Sequence, residues 1–144
     1  MIRILPFVMS IITVVAAVPA NAHELGFAGL LSKGNMQELP GIKLSIGEPL
    51  GEDMVLKSGT GYELEITADG SGEIQLAGPG FFRAIWVNEV VINDLEIRPY
   101  GLESLEFDDE GTMEIEFIAI KPGQYELRIP GTTSDNQRIK ITIE

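Results

Sequence analysis

Apolar and polar residues alternate with a period of two over most of the chain after residue 41. In residues 62–66, for example, Tyr, Leu and Ile alternate with Glu63 and Glu65. Such a period, with Gly, Pro or Asp at the ends of each run, is typical of half-exposed β-strands. No stretch of about ten residues in this part of the chain holds a helical period. The pattern predicts nine strands, at residues 42–46, 62–66, 73–76, 82–92, 95–97, 102–107, 113–118, 125–129 and 138–143.

One face of each predicted strand is apolar and the other is polar, as expected when two antiparallel sheets share a single apolar layer. About eight or nine short strands at roughly ten-residue spacing favour an all-β Greek-key sandwich. Residues 68–72 and 108–111 contain Asp and Gly between alternating runs, and we expect both to be hairpin turns. Residues 23–40 show no clean period and are predicted to form a loose N-terminal arm before a single domain at 41–144.

The first residues of the chain have the pattern of a secretory signal. Arg3 is followed by an apolar run at 4–18, and Pro19 and the small residues Ala20-Asn21-Ala22 come next. The pattern predicts a signal peptide at 1–22, cleaved after Ala22. The apolar run of about 15 residues is shorter than the roughly 20 that span a bilayer; an uncleaved N-terminal anchor is the alternative. We expect a protein exported to the periplasm of a bacterium, or secreted, with no stable membrane insertion after cleavage.

The amino-acid composition excludes several classes of function and of metal site. The chain has 144 residues, with 10 Lys plus Arg against 22 Asp plus Glu, a formal net charge of −12 and a pI of about 4.4. A nucleic-acid partner is not expected, because such binders present a basic face to the phosphates. With no Cys and one His, the chain cannot form disulfides, thiolate metal sites or most zinc sites and hydrolytic triads. The negative charge favours cationic partners, with faster association at low salt.

The order of elements near the C-terminus resembles the cupredoxin fold. The most specific piece is Pro122-Gly123-x-Tyr125-x-Leu127, followed by the predicted last strand. In cupredoxins of the plastocyanin or azurin type, a similar turn leads into a strand bearing Tyr, and that strand ends at the cysteine that binds type 1 copper. The resemblance places this position at or near Ile129. The next loop, 130–137, contains neither His nor Met, and no His occurs in 41–144. The resemblance therefore implies a cupredoxin-like scaffold that lacks the type 1 copper ligands, two imidazoles and a thiolate.

His23, the only His of the chain, is a candidate copper ligand. Cleavage after Ala22 would make it the N-terminal residue, so that its α-amino nitrogen and a ring nitrogen could chelate one cation, and copper(II) favours nitrogen donors. This is half of the histidine brace of copper-dependent polysaccharide oxygenases, in which a second His completes the site. The alternative is an exposed terminal His that binds no metal. His23 is thus the candidate metal ligand, and copper the candidate cofactor.

A second group of candidate residues surrounds the only Trp. Phe81, Phe82, Arg83 and Trp86 follow a Pro/Gly turn, in a position where the end loops of a sandwich present binding groups. If the segment is extended, the two Phe side chains point to opposite faces and one of them is exposed. Trp and Arg are enriched in recognition hot spots, and Tyr100 is a similar candidate. The alternative is that Trp86 lies at the centre of the core and Arg83 covers it.

These observations favour a non-enzymatic binding or accessory module that docks to another exported protein or to a small ligand. Weak copper handling through His23 would accompany that role. A small copper-dependent redox enzyme that uses His23 is an alternative, which the missing second His disfavours. A structural module that joins an exported assembly through its sheet edges is a third.

Overall fold

Nearly all of the regular structure is β. The computed structural model describes residues 29–144; the predicted signal peptide at 1–22 and the candidate ligand His23 lie outside the described residues. Within 29–144 the structure contains one four-residue α-helix, α1 (Pro79–Phe82), two 3₁₀ helices of three residues each (Lys33–Asn35 and Asp135–Gln137), and eleven strands. The strands are β1 (Met36–Glu38), β2 (Ile42–Leu44), β3 (Met54–Leu56), β4 (Gly61–Ala68), β5 (Ile74–Ala77), β6 (Ile85–Ile92), β7 (Leu95–Ile97), β8 (Ser104–Phe107), β9 (Gly111–Ala119), β10 (Gly123–Arg128) and β11 (Arg138–Ile143).

Two sheets divide these strands between them. The first sheet has the order β1-β4-β9-β6-β7, and β2 also pairs with β4; the second has the order β3-β11-β10-β5-β8. Most neighbouring strands are antiparallel, whereas β1 and β2 run parallel to β4 and β3 runs parallel to β11. The predicted fold class, an all-β sandwich, is confirmed. No helix formed by residues 29–144 is long and apolar enough to cross a bilayer.

All nine predicted strands form, and two further strands were not predicted. These are β1 and β3, whose three residues do not alternate between apolar and polar side chains. β1 pairs with β4 inside the segment that was predicted to be a loose arm, so that expectation is wrong for Met36–Glu38. Backbone pairing with a neighbouring strand, rather than a local pattern, places these three residues in the sheet.

The two predicted hairpins are wrong. Residues 68–72 connect β4 of the first sheet to β5 of the second, and residues 108–111 connect β8 of the second sheet to β9 of the first. The local turn chemistry is present, since Asp69 Oδ1 accepts a hydrogen bond from the Ser71 N–H at 3.0 Å and Gly70 has φ of 71°. However, the two strands that each turn joins belong to different sheets, which cover the core from opposite sides. The chain therefore crosses from one sheet to the other at both turns.

The core lies between the sheets and is centred on Phe117 of β9. This residue is fully buried, and its ring lies 5.8 Å from that of Tyr62 and 5.6 Å from that of Phe81, centroid to centroid. On β4 and β9 the alternate residues Leu64, Ile66, Met113 and Ile115 also point into the core. The residues between them must therefore point out from the first sheet, and they define its solvent-facing surface.

Candidate functional site on the outer face of the first sheet

The outer face of the first sheet is rich in carboxylates. On β4 and β9, every position that faces out near the middle of the strand is Glu, because the alternate positions are apolar and buried. The strand registers bring these side chains together with those of neighbouring strands. We call this surface the acidic face; it consists of Glu38, Glu63, Glu65, Glu89, Glu96, Glu114 and Glu116.

The carboxylates are arranged in two rows that run across the strands. Glu63 stands directly opposite Glu116, and Glu65 directly opposite Glu114. Carboxylate oxygens of Glu63, Glu114 and Glu116 all lie within 4.8 Å of one another, and the three residues are half-buried. Like charges directly opposite each other on adjacent strands destabilise a sheet, so this arrangement costs folding free energy. Hard cations accept such oxygen ligands.

One cation lies at the edge of the acidic face. Arg98 Nη1 is 2.6 Å from Glu89 Oε2, and its Nη2 is 3.2 Å from Glu96 Oε2. The same guanidinium donates a hydrogen bond to Asn88 Oδ1 at 3.3 Å, and Asn88 Nδ2 donates to Glu116 Oε2 at 3.1 Å. Arg98 therefore offsets the carboxylates nearest β7, while the pairs on β4 and β9 lie farther towards the middle of the sheet.

The pKa of Glu89 is raised by burial and by repulsion from a neighbouring carboxylate. This residue is buried, with 8% of its surface exposed. Burial raises its pKa above the ordinary value, the charge of Glu116 raises it further, and the nearby Arg98 offsets part of the increase. Glu89 therefore holds a proton more readily in the folded chain than in the unfolded one.

Trp86 borders the acidic face. It stands opposite Ile118 on β9, which in turn stands opposite Gly61 on β4, so an apolar row lies next to the row of Glu63 and Glu116. Trp86 is 48% exposed, and the alternative in which it forms the centre of the core is wrong. Its outward direction follows from the alternation along β6, in which the neighbouring Val87 faces the core.

Phe81 and Phe82 are buried, with 1% and 4% of their surfaces exposed, so the expectation that one of them is exposed is wrong. The reason is that α1 replaces the extended segment assumed from the sequence, and a helical turn lets adjacent side chains both reach the core. Arg83 is exposed and forms an ion pair with Glu103. Tyr100 is fully exposed in the connection after β7. Of the predicted binding residues, only Trp86 borders the acidic face through the strand registers.

The second sheet carries a different set of surface features. An open groove of about 880 Å³ is lined by residues of β3, β10 and β11 and by the residues 78–80 at the start of α1. A smaller cavity of about 490 Å³ includes Glu73 and Glu106. A hydrogen bond with Glu73, followed by desolvation and the charges of Glu73 and Asp108, raises the pKa of Glu106. These three carboxylates are all exposed.

The raised pKa values predict that acidification from pH 7 to about pH 5 increases the free energy of unfolding. Glu89 and Glu106 bind protons more readily in the folded chain than in the unfolded one. Their contribution to the free energy of unfolding is therefore fully present below their pKa in the unfolded chain, and it is lost as the pH rises through their pKa in the folded chain. Hydrogen bonds from the Ser45 and Ser71 side chains and the Ser71 backbone lower the pKa of Asp69 to about 2, so its contribution is lost as the pH falls towards that value. The midpoint of thermal unfolding, measured from pH 3 to 7, should be highest at about pH 4–5; a steady decrease from pH 7 to pH 5 would contradict this.

Comparisons with known proteins show the fold. No protein-family model matches the chain, and no curated protein matches it at a significant level. Among solved structures, a multicopper oxidase aligns with a TM-score of 0.53 and 6% identity over 81% of this chain and 46% of its own. A blue copper oxidase from Nitrosomonas europaea aligns with a TM-score of 0.50 and 11% identity over 64% of this chain and 30% of its own. The chain thus spans less than half of either protein, and at these identities the likeness establishes a cupredoxin-like β-sandwich and nothing more.

The loop where the resemblance to cupredoxins would place a type 1 copper site contains none of the usual ligands of that metal. The loop between β10 and β11 begins at Ile129, whose N–H donates to the Gln137 carbonyl at 3.0 Å and whose carbonyl accepts from Thr132 Oγ1 at 3.1 Å. Ile129 packs against the core, and the loop contains no Cys, His or Met. A type 1 centre needs a thiolate and two imidazoles, and this loop supplies neither kind of ligand.

Proposed function

We propose that this chain is an exported, non-catalytic binding or accessory protein of cupredoxin-like fold, without a type 1 copper centre, that docks to a basic surface of a partner protein. The acidic face is the docking surface and Trp86 is the apolar anchor beside it. Export through cleavage after Ala22, to the periplasm or the cell exterior, is part of the proposal. With no Cys and one His, the chain has no residue for thiol catalysis and cannot form most hydrolytic triads.

The observation that carries the proposal is the direct opposition of like charges at Glu63–Glu116 and Glu65–Glu114. A sheet that served only as a scaffold would be more stable with neutral or oppositely charged pairs at these positions. Surfaces that cost stability are common where a protein binds something. Lys and Arg side chains of a partner would reduce this repulsion on docking, and charge complementarity of this kind speeds association and selects the partner.

The proximity of Trp86 to the acidic face supports the same role and provides a means to test it. A half-exposed Trp next to a charged surface has the character of an interface hot spot, and its ring can also hold a Lys or Arg through a cation–π contact. Because Trp86 is the only Trp of the chain, its fluorescence reports on this surface alone.

The test uses a decalysine peptide as a model of a basic surface, with Trp86 fluorescence as the readout. We expect binding that weakens with added salt. The double variant Glu63→Gln with Glu116→Gln should bind about tenfold more weakly, because two ion pairs worth about 0.7 kcal/mol each are lost. The same variant should be at least as stable as the parent protein, since it loses a repulsive pair.

The matched control is Glu73→Gln with Glu106→Gln, which removes the same number of carboxylates from a close pair, Glu106 on β8 and Glu73 just before β5. It should leave decalysine binding nearly unchanged. Equal loss of affinity in the two double variants would show that the peptide responds only to net charge, and the proposal for the acidic face would then be rejected.

Copper handling through His23 is a second proposal, supported by the nitrogen donors of an N-terminal His and not by the described residues. One equivalent of Cu²⁺ added to the exported protein should give a defined type 2 paramagnetic signal, and His23→Ala should remove it. A signal that persists in His23→Ala but disappears in the Glu63→Gln with Glu116→Gln variant would assign copper to the acidic face instead. Copper binding no tighter than that of free histidine would reject this role, and with it the alternative of a small copper-dependent redox enzyme.

A further inference from the structure

The strand β7 forms an edge of the first sheet. It pairs with β6 on one side, and no strand formed by residues 29–144 pairs with its other side. Its apolar residues are unusually exposed, with 61% of Leu95 and 42% of Ile97 accessible to solvent. An unprotected edge of this kind offers backbone N–H and C=O groups to another strand.

The turn before β7 determines which backbone groups face outward. Asn93 and Asp94 both have positive φ, of 47° and 65°, as in the two-residue type I′ turn that joins hairpin strands. In such a turn the carbonyl of the residue before it accepts a hydrogen bond from the N–H of the residue after it, here Leu95. Because the direction of these groups alternates along an antiparallel pair, those of Leu95 and Ile97 point to β6, and those of Glu96 and Arg98 point away from the sheet.

We propose that this edge pairs with the same edge of a second copy of the chain, antiparallel and centred on Ile97. In that register Glu96 lies opposite the partner's Arg98, and Arg98 lies opposite the partner's Glu96. The outward-pointing backbone groups of these residues meet in reciprocal N–H to C=O hydrogen bonds, and each cross-strand pair has opposite charges. Ile97 contacts the partner's Ile97 on the inner side, next to Leu95.

Charge complementarity selects this register over its neighbour. A register centred on Glu96 would also align outward-pointing backbone groups, but it would place Glu96 opposite the partner's Glu96, and like charges in that position are destabilising. Arg98 already contacts Glu89 and Glu96 within its own chain. Its guanidinium has five N–H donors, so a further carboxylate can be accommodated.

The association should be weak. A strand of three residues buries much less than the roughly 1,000 Å² of a stable interface, and two chains with a net charge of −12 repel each other. We expect a dissociation constant on the order of 0.1–1 mM. Added salt should strengthen the association at first, since it screens the long-range repulsion more than the close charge pairs.

The test is sedimentation of the purified protein between about 20 µM and about 1 mM in 0.15 M salt, with a reversible monomer–dimer equilibrium as the expected result. Ile97→Lys should weaken dimer formation at least about tenfold, because the two introduced charges would face each other at the centre of the pairing. Val55→Lys, on the exposed edge strand of the second sheet, is the matched control and should leave the equilibrium unchanged.

A charge exchange tests the register. Glu96→Lys should weaken the dimer, and the double variant Glu96→Lys with Arg98→Glu should restore it, since the opposite charges are regained in exchanged positions. Thermal unfolding of each variant checks that the monomer is folded. If Arg98→Glu does not fold, amide hydrogen exchange of the parent protein replaces it: the amides of Glu96 and Arg98 should become protected at high concentration, whereas that of Ile97 should be protected throughout.

A protein that remains monomeric up to about 1 mM would overturn the proposal. So would a dimer that Ile97→Lys leaves intact, or one in which the amides of Glu96 and Arg98 gain no protection. None of these outcomes decides the test of decalysine binding, whose variants change Glu63 and Glu116 on the central strands.

Discussion

Replacement of Phe117 by Ala is expected to lower the free energy of unfolding by about 3–5 kcal/mol. Phe117 is fully buried on β9, a central strand that pairs with both β4 and β6. Its ring packs against those of Tyr62 and Phe81, with the Phe81 ring nearly perpendicular to it at 87°. Truncation would remove both ring contacts, each worth about 0.5–1.5 kcal/mol beyond the buried area, and would leave a cavity between the sheets.

Urea unfolding of Phe117→Ala and of Ile118→Ala provides the measurement and its control. Ile118 is the next residue of the same strand, but it points to the outer face and is only half-buried. Its truncation should cost about 1 kcal/mol. Because a domain of this size is stable by about 5–15 kcal/mol in total, the loss of Phe117 should remove a large share of the free energy of unfolding. Equal losses for the two variants would contradict the assignment of Phe117 to the centre of the core.

Replacement of Gly78 by Ala is expected to lower the free energy of unfolding by about 1–3 kcal/mol. Gly78 lies immediately before α1, where the chain passes close to β10. A Cβ atom at this position would collide with Leu127 Cδ2 and would come within 2.9 Å of the Glu126 carbonyl oxygen. Leu127 is itself buried, so its side chain has little freedom to move away, and the backbone carbonyl has less.

Gly80→Ala is the matched control for this prediction. It lies two residues further along, within α1, and a Cβ atom there would meet Tyr125 Cδ1 at 3.8 Å, which is an ordinary contact. We expect Gly80→Ala to change stability by less than about 1 kcal/mol, with Ala favoured over Gly inside a helix. If the two substitutions change the midpoint of thermal unfolding by similar amounts, the close packing around Gly78 does not explain the effect, and the prediction is contradicted.

The fold could be predicted largely from local pattern. Alternation along residues such as 62–66 and 113–118 predicted strands with one buried face, and the motif from Pro122 to Leu127 indicated a cupredoxin-like sandwich, which the structural comparisons confirm. The hairpins at 68–72 and 108–111 were wrongly predicted, because alternation with a period of two indicates only which side of a strand is buried. It does not record in which sheet the strand lies.

The candidate site was predicted less well. The residue type of Trp86 and its position near a turn indicate a binding residue, and Trp86 does lie on the surface that we propose to be functional. The same reasoning indicates Phe81 and Phe82, but both are buried because their segment forms a helical turn and not an extended strand. The Glu residues of β4 and β9 were visible in the sequence, but each strand by itself showed only an ordinary solvated face.

The sequence by itself determined nine of the eleven strands found in residues 29–144, the buried side of most of them, the acidity of the chain and the absence of a cysteine thiolate for type 1 copper. These follow from residue type and from spacing of a few positions. Only the tertiary structure decided that Glu63 faces Glu116, that Trp86 borders them, and that β7 is left at an edge. These relations join residues that are far apart in the chain. They are set by the hydrogen-bond register between strands, and no local period in the sequence encodes that register.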